Sequence, residues 1–136
     1  MGTWAVDAFG NDDAADWASE LDGAEDLDPL AAAIERVLEY GDDYLEAPDA
    51  TVALAAIDVL ACLLGRPATK SAYPEGVERW VAESELVPPP ELVEQSLAVI
   101  ARILGENSEL KELWKDSDDH DDWLAAMADL RARLTD

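Results

Sequence analysis

Basic residues are scarce in this chain of 136: Lys and Arg number 9 against 32 Asp and Glu, a formal charge of −23. The shortage argues against direct nucleic-acid binding, because phosphate affinity comes from clustered Lys and Arg displacing counterions. It also disfavours docking on anionic lipid. A single cysteine, Cys62, excludes an internal disulfide. Its place in an apolar run reads as a small buried hydrophobe of a cytoplasmic protein. Residues 1–9 have neither a basic n-region nor a long apolar run, so no secretion signal is expected there. Val6 stands where myristoylation of Gly2 would need Ser or Thr. The longest apolar stretch, 50–65, is too short to span a bilayer and is interrupted by Asp58. No membrane association is expected.

Hydrophobic residues nevertheless make up 49% of the chain, enough to fold one compact domain over 1–136. A fold of this mass exposes roughly 7,000 Å², about one net negative charge per 300 Å². Such a density raises solubility and strains the fold by self-repulsion, which salt screens.

The punctuation is helical, with Pro and Asp at starts and Gly at ends, and no alternating run is long enough for a strand. This predicts an all-α bundle of about six or seven helices around a central apolar one. Asn11 suits an N-cap, followed by a stripe of Ala14, Trp17, Ala18 and Leu21 with Asp12, Asp16 and Glu20 opposite. Asp28 as cap and Pro29 open a second helix, buried through Leu30, Ile34, Val37 and Leu38 and ending near Gly41. Pro48 and Asp49 start the third, which runs to Gly65 with Asp58 as its one charge inside the apolar run; it is the expected central helix. Asp58 with Thr51, Ala55 and Cys62 reads as a polar seam or a close helix contact. After a loop with Pro67 and Pro74, a short helix over 75–84 presents Val77, Trp80 and Val81. A fifth, over 91–104, is expected to bury Val93, Leu97, Ile100 and Leu104 and to expose Glu94, Gln95, Ala98 and Arg102. Asn107 is the expected cap of a sixth helix anchored by Leu110, Leu113 and Trp114. Ser117 or Asp118 opens the last, with Trp123, Met127, Leu130 and Leu134 on one face and Arg131 and Arg133 complementing the dipole in its final turn. The third and fifth helices share a pattern 40 residues apart, ending in Gly65 and Gly105. Two copies fall short of a solenoid.

Residues Met1 to Trp4, then Phe9, Asn11, Asp12, Ala14, Asp16 and Trp17, resemble the start of a bacterial family known only as Domain of Unknown Function 4259. The likeness extends to Asp43, Tyr44, Leu45 and Glu46 and to Ser108, Glu109, Leu110, Leu113 and Trp114. Ala5 and Asp7 depart from the family pattern, where glycines are expected. The resemblance implies a small bacterial protein occupying the whole chain, and no activity.

Catalytic constellations are missing. The run Asp116, Ser117, Asp118, Asp119, His120, Asp121, Asp122 fails as a calcium loop: counted from Asp116, the sixth and twelfth positions hold Asp121 and Met127 instead of Gly and Glu. Its acids read as the start of a helix. One His and one Cys do not furnish a zinc set, and no Gly-rich phosphate loop occurs. Neither an enzyme nor a bound cofactor is expected. The five tryptophans read as core anchors. The remaining readings are a module that engages a basic partner protein, in the manner of an immunity protein or inhibitor, and a charge-rich housekeeping protein with weak cation binding and no tight partner. The first assigns contact to Asp12, Asp13, Asp16 and Glu20 together with Asp118, Asp119, Asp121 and Asp122.

Overall fold

The computed structural model describes residues 12–21, 23–66 and 75–135, and all the secondary structure among them is helical apart from one isolated β-bridge. Asn11, residues 1–9, Pro67 and Pro74 lie outside the described residues. Seven helices follow in order: α1 (Asp12–Ser19), α2 (Asp28–Leu38), α3 (Ala47–Leu63), α4 (Glu75–Glu83), α5 (Pro90–Leu104), α6 (Glu109–Lys115) and α7 (His120–Thr135). The all-α expectation therefore holds for the described chain.

α3 is central, and the reason is compositional. Apolar or small side chains surround its whole circumference, so no face prefers water. Twelve of its residues are buried, and it packs against each of the six other helices. Val52 and Leu63 lie at its half-buried margins. The other helices are amphipathic and lay their stripes on it. On α1 the expected Ala14, Trp17 and Ala18 are buried, with Leu21 just beyond. On α7 Trp123, Met127, Leu130 and Leu134 are buried as expected. Gly41 and Gly65 follow α2 and α3 with φ of 58° and 84°, the left-handed geometry in which a side chain is strained.

Several local expectations are corrected. Asp28 is the first residue of α2 instead of its cap; its N–H donates to Asp26 Oδ1 at 3.0 Å, so the capping carboxylate comes from two residues upstream. α5 is rotated from the expected face: Leu92, Ser96, Val99, Ile100 and Ile103 are buried, while Val93, Leu97 and Leu104 are half-buried. Ser96 is tolerated inside because its hydroxyl donates to the Leu92 carbonyl at 2.9 Å. Ser108, not Asn107, caps α6, accepting from Lys111 N–H at 3.4 Å; Asn107 has φ of 55°. Leu113 is exposed, leaving Leu110 and Trp114 as the anchors of α6. α7 starts at His120, later than expected, because Ser117 Oγ accepts from Asp119 N–H at 3.2 Å in a turn before the helix.

Asp58 and Arg133 show what composition concealed. Asp58 is buried in α3, and Arg133 reaches it from α7 with Nη1 2.9 Å from Oδ1. The same guanidinium holds Asp129 at 3.0 Å and the Arg66 carbonyl at 3.2 Å, while Arg66 Nη1 donates to the Arg133 carbonyl at 2.9 Å. The polar seam is thus an ion-pair cluster between helices, and Arg133 serves it instead of only complementing the α7 dipole.

Candidate interaction surface

The carboxylates of α1 are presented on a firm support. Asp13 and Asp16 of α1, and Glu20 in the turn that follows it, are exposed, while Ala14, Trp17 and Ala18 are buried against the body of the bundle. The backbone of Asp12 belongs to this helix, but its side chain lies outside the described residues. At the other acidic run, Asp118, Asp119, Asp121 and Asp122 are all exposed around the start of α7. Their footing is aromatic: Trp123 stacks on Trp114, with ring centroids 6.0 Å apart and planes 8° from parallel.

The structure does not bring the two runs together. Among the described residues α1 packs on α3 and α4, and α7 on α3, α5 and α6, with no contact between α1 and α7. No group of three or more His, Cys, Asp or Glu side chains among the described residues is placed to hold a metal.

A polar clasp escaped the sequence reading. Leu45 and Ser108 form the isolated parallel bridge: Leu45 N–H donates to the Asn107 carbonyl at 2.7 Å, and Glu109 N–H donates to the Leu45 carbonyl at 2.9 Å. Glu109 Oε1 accepts from Ala47 N–H at 2.8 Å, so the first turn of α3 is capped by a carboxylate 62 residues away. Arg102 closes the underside, its fork donating to the carbonyls of Gly41, Asp43, Glu106 and Asn107. The segment around Tyr44 and the segment around Leu110 are thereby one unit in space. Their shared feature in sequence is an acid beside an aromatic or leucine, a signal too common to reveal the pairing.

Tyr44 Oη donates to Glu112 Oε1 at 2.8 Å, and this bond to a carboxylate, reinforced by desolvation and the charges of Glu112 and Glu109, pushes the phenol up to about 12. On the neighbouring face Asp49 accepts from both Arg36 Nε and Tyr40 Oη. The hydrogen bonds to that carboxylate raise the proton affinity of both donors. These shifted groups serve surface links.

No helix among the described residues is long and apolar enough to cross a membrane. No curated protein and no solved structure matches the chain. A family model described as Domain of unknown function (DUF4259) matches residues 2–126, a span that encloses both halves of the clasp and both acidic runs.

Proposed function

The chain belongs to that family, which assigns no activity, and from the placement of its carboxylates we propose that it is a non-enzymatic, cytoplasmic interaction module that engages a basic protein. The observation that supports this reading is the mounting of the acids. Asp13, Asp16 and Glu20 are exposed on the segment that buries Trp17, and Asp118, Asp119, Asp121 and Asp122 adjoin the Trp114–Trp123 stack. Charges held on a rigid support lose little entropy when a partner docks, and a surplus of one sign steers an oppositely charged partner to them. Asp12 belongs to the same run in sequence and is included in the proposal. The mechanism is charge-steered association followed by occlusion of the partner's cationic surface.

Affinity capture from the native cell at low and high salt, with kinetics on the captured partner, tests this. Neutralising Asp12, Asp13, Asp16 and Glu20 to their amides, or Asp118, Asp119, Asp121 and Asp122 likewise, is expected to slow association and flatten its salt dependence while leaving dissociation less affected. Unchanged on-rates in both variants overturn the reading, and leave the acids as a solvated surface with weak, unspecific cation binding.

A further inference from the structure

The walls of α2 and α5 leave a groove of about 650 Å³ that neither acidic run borders. Val37, Leu38 and Gly41 form one wall, and Ala98, Ala101 and Gly105 the other. Ala98 and Ala101 are exposed although 30% of the chain is charged, so the solvent-facing positions of α5 here carry nothing larger than a methyl group. Small residues three and four apart let a further helix approach to an interaxial distance of about 8–10 Å. At the Gly41 end stand Asp42 and Glu106, whose carboxylates form no ion pair among the described residues. Arg102 borders the same end, but its fork is spent on four main-chain carbonyls and is held down in the clasp.

We propose that this groove receives a cationic amphipathic helix of the partner protein. The proposal rests on the reading above that the partner is basic, and adds where its anchoring element sits. An apolar ridge of residues spaced three and four apart fills the floor between the alanines and Leu38. Flanking Lys or Arg side chains meet Asp42 and Glu106. A second copy of this chain is a poor occupant, since it brings a charge of −23 to an acidic rim.

The test is a nuclear magnetic resonance titration of the full chain with two synthetic peptides of equal positive charge. Each has about 18 residues, roughly five helical turns; one alternates Lys with a Leu ridge, the other replaces Leu by Ser. The Lys/Leu peptide is expected to shift the amides of Leu38, Ala98, Ala101 and Gly105 and to bind at least about tenfold more tightly than the Lys/Ser peptide, a factor readily resolved in such titrations. Ala101→Trp, at an exposed position, is expected to abolish that advantage with the circular dichroism spectrum unchanged; should its spectrum change, Ala98→Trp takes its place. Equal affinity for the two peptides, absence of binding by either, or shifts confined to α1 and 118–122 overturns the groove. The last pattern does so while supporting the acidic runs as the cationic surface. Groove shifts that persist when both acidic runs are neutralised, with partner on-rates also unchanged, sustain the groove and overturn the steering role of the runs.

Discussion

Asp58 and the carboxylates of 118–122 are the same chemical group in two physical regimes. Asp58 lies within an apolar helix with its side chain only 4% exposed, and a guanidinium from another helix stands 2.9 Å away. The carboxylates at 118–122 are exposed and crowded along the chain. A charge count treats them alike. Burial makes the first a matter of which helix docks where, and exposure makes the second a matter of field and solubility.

The sharpest way to break this contrast is to withdraw the buried partner. Arg133→Met is expected to cost about 3–5 kcal/mol in urea unfolding, the range for breaking a buried pair from one side. Changing Asp58→Leu in the same chain should return most of that loss; a single variant of near-native stability would mean that the pair contributes nothing to docking α7. Next in size is Leu60→Ala, at a fully buried position in the last turn of α3, where truncation is expected to cost about 2–5 kcal/mol.

Salt separates the two regimes directly. Raising ionic strength to about 0.5 M, where the Debye length is only a few ångströms, is expected to raise the melting temperature by about 3 °C, as relief of ~1 kcal/mol of self-repulsion does in a chain of this size. The cost of Arg133→Met should stay nearly constant over the same range, because solvent ions do not reach the pair. A flat melting curve would place the acids too far apart to repel. The smallest effect concerns Tyr44, whose phenol gains proton affinity from its bond to Glu112. Its folded pKa lies above the ordinary value of about 10, so its stabilising contribution is complete below that pH and is lost as pH rises through about 12. Glu112→Ala should return the phenol toward about 10, read by ultraviolet difference titration.

The helical architecture was legible because period and punctuation agree over most of the chain. The stripes of α1 and α7 and the uniform apolarity of α3 each state which side meets the core. α5 was misjudged because Val93 and Leu97 offer as convincing an apolar face as Leu92 and Val99, and a serine in the true face looks polar until its bond to Leu92 is known. The caps of α3 and α6 were obscured for different reasons. Glu109 serves a helix 62 residues away, and the positive φ of Asn107 excludes it from the geometry that its composition suggests. The exposure of the acidic runs followed from their composition. Their separation did not, because only packing decides whether α1 and α7 touch.

The bridge between Leu45 and Ser108 also carries a consequence for folding. It ties together segments separated by α3, α4 and α5, so its bonds reward the chain only after a long excursion has been closed. Such closure depends weakly on length: each doubling of the intervening chain adds only about 0.6 kcal/mol of entropy cost. Insertions in the connections between these helices should therefore be tolerated in the native state, while the late pairing of distant residues slows the approach to it. The length of those connections is cheap to vary, and the clasp at the end of the excursion is where variation is expensive.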